Sequence, residues 1–238
     1  MSGHSKWATI KHQKGIKDAK RSKTFSQMTK EIMVVSRNGE NPETNYSLKL
    51  AIQKAKSIGL PKENIERAIQ KGSGAGNDLN NIEEIVYEGF GPGGVGIIVK
   101  VLTEKRGRSL QEMRLVFDKN NGNLSGKGSV MFNFDFVGEI EIENVKQNDE
   151  LEEFLIGLDL KDYEFLEENK AILWTEPKNL SSVSEKLEKY GLNIVSSDFT
   201  YLPKNYISIS EENKILLEKL IQKIEELDDV SGCWNNAE

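Results

Sequence analysis

The sequence has a single cysteine, Cys233, so no intrachain disulfide and no cysteine-based zinc site can form. Histidine is nearly as scarce. Only His4 and His12 occur, and two ligands without a third make no zinc centre. No apolar run approaches the roughly 18 residues needed to span a membrane. The start of the chain is basic but lacks the apolar core of a secretory signal. The cytoplasm, where disulfides are rare, is the expected compartment, and no membrane partner is expected. A catalytic constellation is missing too. Ser5, Ser22 and Ser26 have no evident base with an orienting acid. Acidic runs such as "DELEEF" and "FLEEN" read as solvated faces. The chain is therefore expected to be no enzyme and to need no cofactor or metal.

What is present is unevenly distributed charge. The 238 residues are 37% hydrophobic and 29% charged, the composition of a globular chain of two or three domains. The formal net charge is −6. Residues 1–75 nevertheless hold 15 Lys/Arg against 6 Asp/Glu, a net +9, which leaves −15 on the remainder. Eight of those cations fall between Lys6 and Lys30, against one acid, Asp18. Such a split marks one region that meets a polyanion and others that do not.

The apolar period divides the chain further. Residues 1–13 read as an arm. A helix is expected from Lys14 to Arg37, with Phe25, Met28, Ile32 and Val35 on one face. Asn41 and Pro42 offer a cap and first turn for a second helix, and a third runs from Pro61 to Gly72. "GSGAGND" then reads as a linker. The period next changes to two. "IEEIVYEGF", "VGIIVKVLT" and "GSVMFNFDF" read as strands, with a helix over 106–119. Residues 137–203 follow the order βαββαβ. Segments 95–136 and 205–234, each βαβ, join into a second such unit. The expected fold class is α+β multidomain: an N-terminal helical bundle plus two ferredoxin-like βαββαβ domains, one inserted in the other. The expected domains are 1–75, 76–136 with 204–238, and the insert 137–203.

"GFGPGG" at 89–94 matches a dinucleotide fingerprint literally, but a strand follows it where the fingerprint needs a helix N-terminus. It reads as a tight loop between strands, whose glycines would also allow close approach of a partner's backbone. The basic segment is richer. On a helix, Lys14, Lys17 and Arg21 share one face, flanked by Lys20 and Lys23, while Lys6 and Lys11 extend the track along the arm. Trp7 either stacks on a splayed base or plugs the arm onto the bundle. A second knot, "EKRGRS", brings Arg106 and Arg108 to the start of a helix, with Arg114 about two turns on. No helix-turn-helix, zinc module or basic zipper stands out. The alternative reading is a protein-interaction adaptor whose basic domain docks on an acidic partner.

"GHSKWATIKHQKGIKDAKRSKTFSQ", "PKENIERAIQKGSG", "YEGFGPGGVGIIV" and "GNLSGKGSVMF" together resemble the YebC/PmpR family nearly end to end. "EELDDVSGCWNN" resembles its C-terminal segment less closely. The resemblance implies a helical N-terminal domain and two α/β domains. It also implies a regulator of gene expression that binds nucleic acid. Members are described as DNA-binding transcriptional regulators, as mitochondrial translational activators, or as ribosome-associated factors that relieve stalling. The implied partners are DNA or ribosomal RNA, and possible ribosome binding goes with the latter. Lys6, Trp7, Lys11, His12, Lys14, Lys20 and Arg21 fall on the family's basic motif. Gln13 and Gln27 stand where the family usually has a basic residue, and "CWNN" replaces its usual ending.

Overall fold

Hydrophobic period and turn residues lead to seven α-helices and two antiparallel sheets among the described residues of the computed structural model. These are residues 18–74 and 82–238, with side chains from Ser22 onward. The chain divides into two compact units. One takes in the chain through Asn133 together with Pro203–Glu238, and the other is Phe134–Leu202.

In the first unit, α1 (Asp18–Ser36), α2 (Tyr46–Ser57) and α3 (Lys62–Gly72) bury Met28, Ile32, Leu48, Ala51, Ala55, Leu60, Ile65 and Ala68 against one another. α1 and α3 cross so closely that a Cβ on Gly72 would lie 2.2 Å from the Met33 carbonyl oxygen. The second helix begins later than Asn41-Pro42 suggests. Asn45 is the cap: its Oδ1 accepts from Leu48 N at 3.1 Å, and its Nδ2 donates to Val35 O at 2.8 Å and Gly39 O at 2.7 Å. By satisfying the end of α1 and the start of α2 together, Asn45 outcompetes Asn41, which instead closes a local turn onto Glu43 N.

The same unit holds β1 (Glu83–Phe90), β2 (Gly96–Thr103), α4 (Arg106–Lys119) and β3 (Asn123–Ser125). Its sheet is completed from the far end of the chain, described next. The second unit contains β4 (Phe134–Glu143), α5 (Asp149–Ile156), β5 (Leu160–Leu166), β6 (Lys170–Thr175), α6 (Leu180–Tyr190) and β7, whose span is Asn193–Pro203. Its strand order is β5-β6-β4-β7. α7 (Glu211–Glu225) and β8 (Val230–Asn235) then return to the first unit, whose strand order is β3-β1-β2-β8. Val95, Ile97, Val99 and Val101 pack with Met113, Phe117, Leu217, Leu220, Ile221 and Ile224 from α4 and α7.

This first sheet departs from the expected βαβ plus βαβ assembly. The β1–β2 hairpin supplies its centre. The run "GSVMFNFDF" is divided: Met131–Asn133 is a 3-10 turn, and the strand from Phe134 belongs to the second unit. "YISIS" alternates like a strand but makes only an isolated bridge, Ile207 to Ala237. Ile209 packs against the Pro92–Gly94 turn, where a Cβ on Gly93 would lie 2.6 Å from its Cγ2, and Ser210 caps α7. Gly89, Gly91 and Gly93 of "GFGPGG" thus serve close packing within the unit, and Gly94 serves the turn through its positive φ.

In the second sheet, Glu139, Glu141 and Glu143 alternate along β4 opposite Trp174, Ile172 and Lys170. Desolvation pushes the Glu139 carboxyl up, and Asp198 and Glu141 add to this, against the pull of the Trp174 Nε1 bond at 2.9 Å. The unfolded chain therefore releases this proton more readily than the folded one, so ionised Glu139 opposes folding at neutral pH. Glu139→Gln keeps the acceptor for Trp174. It is expected to raise the melting temperature by a few degrees at pH 7. That gain should shrink as the pH falls through the raised value and vanish below the ordinary carboxylate range, which thermal melts at the two extremes check.

Candidate nucleic-acid interface

Six expected contacts, Lys6, Trp7, Lys11, His12, Lys14 and Lys17, lie outside the described residues. Lys20 and Arg21 lie on the first turn of α1, but their side chains are outside the description. The described basic candidates are Lys23, Arg106, Arg108 and Arg114.

Lys23 points inward. Its Nζ donates to Glu225 O, at the C-terminal end of α7, at 2.7 Å. Desolvation there pushes its ammonium down, against the attraction of Asp228, Glu226 and Glu225. The helix end, with its unpaired carbonyls, favours the cation. One turn on, Gln27 Nε2 donates to Val230 O at 2.6 Å. Another turn on, Lys30 Nζ meets Asp229 Oδ1 at 2.5 Å and Leu102 O at 3.2 Å. Lys23, Gln27 and Lys30 repeat at i, i+4 and i+7, so one stripe of α1 docks on the α7–β8 connection. The stripe carrying Met28 and Ile32 packs on α2 and α3. Gln27 belongs to this docking face.

Asp229 is the centre of the joint. It is 7% exposed. Besides Lys30, it accepts from Thr103 Oγ1 at 2.8 Å and Arg108 Nη2 at 3.1 Å, both on Oδ2. Its backbone oxygen accepts from Leu102 N at 2.8 Å. Burial works against its ionisation, but the Lys30, Thr103 and Arg108 bonds outweigh burial and hold its carboxyl below the ordinary value. Through this one carboxylate, α1 and the first turn of α4 become neighbours. Arg108 keeps a 54% exposed side chain. Its guanidinium has five donors; Nη2 pairs with Asp229, and Nε lies 3.7 Å from Glu112 Oε1. Arg106 and Arg114 are exposed. Gly107, between the two arginines, has no neighbour that a Cβ would touch, so the backbone there lies open.

The sequence reading found the cations but missed Gln27, Lys30, Thr103 and Asp229 as a unit. The i, i+4, i+7 spacing on α1 was the available signal.

The N-terminal domain model of the TACO1/YebC proteins matches residues 5–75, and the model of their second and third domains matches 82–237. The chain belongs to the TACO1/YebC family. Among similar TACO1/YebC relatives is "Probable transcriptional regulatory protein TTE1135" of Caldanaerobacter subterraneus subsp. tengcongensis. It is 42% identical over 240 residues, which cover 100% of this chain and 98% of that one. "Probable transcriptional regulatory protein all4276" of Nostoc sp. is 41% identical over 241 residues, covering 100% and 96%. The crystal structure of the conserved hypothetical protein Aq1575 from Aquifex aeolicus superposes with a TM-score of 0.86 at 41% identity, covering 98% of this chain and 97% of that one.

Proposed function

We propose that this protein is a non-enzymatic, nucleic-acid-binding regulator of gene expression. In this reading the basic arm and the start of α1 make the main contact, and the start of α4 makes the second. The observation that carries it is the shared Asp229 carboxylate, with Lys30 on one oxygen and Arg108 on the other. It holds α1 beside the "EKRGRS" knot, which supports reading the two basic clusters, distant in sequence, as parts of one surface. Arg21 lies nine residues before Lys30, about 14 Å along the helix axis. Lys6, Trp7, Lys11, His12, Lys14, Lys17, Lys20 and Arg21 then extend the positive track, while Arg106, Arg108 and Arg114 close on the polyanion from α4. Lys23 acts through docking. Residues 134–202 carry 6 Lys and 17 Asp/Glu, a net −11, and repel a polyanion from their own surface. The names of the relatives support regulation of transcription, and the resemblance in the arm also admits the ribosome as target.

The test is binding of the full chain to a 20-base-pair duplex DNA and to purified ribosomes across a salt series. If six phosphates are neutralised on the duplex, the log–log slope is expected near about −5. Reversing Lys14, Lys17 and Arg21 to Glu is expected to abolish binding to whichever target is preferred. No binding of the wild type to either at low salt, or full retention by the triple variant, overturns the proposal.

A further inference from the structure

We infer that Gly126–Phe132 is a separate contact for an unpaired nucleotide, with the Phe132 ring stacking on its base and Lys127 pairing with its phosphate. This rests on the nucleic-acid reading above but on different residues. The loop is built and held rigid from beneath. Glu88 on β1, 3% exposed, accepts from Gly128 N at 2.6 Å and Val130 N at 2.7 Å, and from Met131 N at 2.8 Å. A buried carboxylate is thus committed to fixing the loop backbone. Among the described residues, the loop's outer side is exposed. Lys127 is exposed at the tip, and Phe132 is 65% exposed. Lys204 donates to Phe132 O at 3.1 Å, which holds a second cation at the backbone of the same loop.

Gly126 is the telling residue. It has no positive φ, and a Cβ there would meet nothing within 4 Å. Among the described residues nothing requires glycine at this position, whereas a ligand approaching the backbone closely would. β3 runs antiparallel to β1, pairing Phe90 with Asn123 and Glu88 with Ser125. The chain after Ser125 therefore heads toward the Glu83–Thr103 end of the sheet, where α4 begins and α1 is clamped. Paired bases in a duplex show only their edges, so a protruding ring stacks on a base that is out of the helix.

The experiment uses the full chain with a 20-nucleotide single-stranded RNA, the matching single-stranded DNA and a 20-base-pair duplex. Phe132→Ala is expected to weaken single-strand binding about 5- to 100-fold while leaving duplex binding unchanged. Lys127→Ala is expected to reduce the single-strand salt slope by about 0.7. Gly126→Ala should weaken single-strand binding with an unchanged thermal melt. The RNA and DNA arms tell which strand supplies the nucleotide. Unchanged single-strand binding by Phe132→Ala, while the Lys14/Lys17/Arg21 reversal still weakens it, sinks this inference and spares the reading it rests on. Equal loss on duplex and single strand also overturns it. If the wild type binds no nucleic acid, both fall.

Discussion

Asp229→Ala is expected to loosen α1 from the rest of its unit and to give the largest stability loss of any single charge removal among the described residues. The variant leaves the part-buried Lys30 ammonium with the Leu102 carbonyl but without its carboxylate, and it strips Thr103, which is fully buried, of its acceptor. Breaking a buried pair by removing one partner costs about 3–5 kcal/mol, because the other charge stays behind. The chain has two compact units, so a single unfolding free energy is the wrong observable. Hydrogen exchange resolves the effect by region. Amides of α1, of the end of β2 and of the start of α4 should lose protection, while those of β4–β7 should not. Replacing the pair together, Lys30→Met with Asp229→Leu, should recover part of the loss, since apolar groups of similar volume leave no orphan charge. Equal protection in wild type and Asp229→Ala would mean that the hydrophobic contacts of α1 alone hold it in place.

The same carboxylate sets a pH dependence. Its folded-state pKa is held down, so its contribution is fully present above the unfolded value of about 3.9 and is lost as pH falls through the lower folded value. The joint between α1 and α4 should therefore persist through mildly acidic conditions and fail only in strong acid. Glu139 titrates with the opposite consequence, and its protonation relieves a burden. Acid should weaken the first unit before the second.

How much of this was legible follows from where each partner sits in the sequence. α1 and α3 were readable because their apolar period and glycine stops are local. The βαββαβ order over residues 137–203 was readable for the same reason: each strand and helix carries its own pattern. The second helix was misplaced by a few residues because Asn41-Pro42 imitates a cap. Asn45 wins through carbonyls of α1 that no local pattern reveals. Cations could be counted but not sorted into inward and outward. Lys23 meets a carbonyl 202 residues away, and Lys30 meets a carboxylate 199 away. A one-dimensional pattern can show that such a side chain is basic, but not that α7 ends beside it.

The strand expected over "GSVMFNFDF" forms only from Phe134, and its first part fails for a reason that leads to the second large effect. The run has strand-like aromatics at alternate positions, but the backbone donors a ladder would need at Gly128, Val130 and Met131 are taken by Glu88, some forty residues earlier. Burial disfavours the ionised form of Glu88, yet the three backbone bonds and the nearby Lys127 charge hold its carboxyl below the ordinary value. Glu88→Gln keeps one acceptor oxygen and turns an amide donor toward at least one backbone N–H. The loss of charge assistance on the bonds that remain, together with one buried orphan donor, is expected to total about 3 kcal/mol. The loss should be local. Protection should fall at Gly128, Val130 and Met131 and along β3, the three-residue edge strand that leads into the loop, while the centre of β2 stays protected. In the wild type the contribution of Glu88 is complete above the unfolded value of about 4.3 and disappears below the lower folded value, so the loop should open in acid at pH values that leave Glu88→Gln unaffected. If loop protection in Glu88→Gln matches the wild type at neutral pH, the three bonds do not hold the loop, and a rigidly presented Phe132 loses its physical basis.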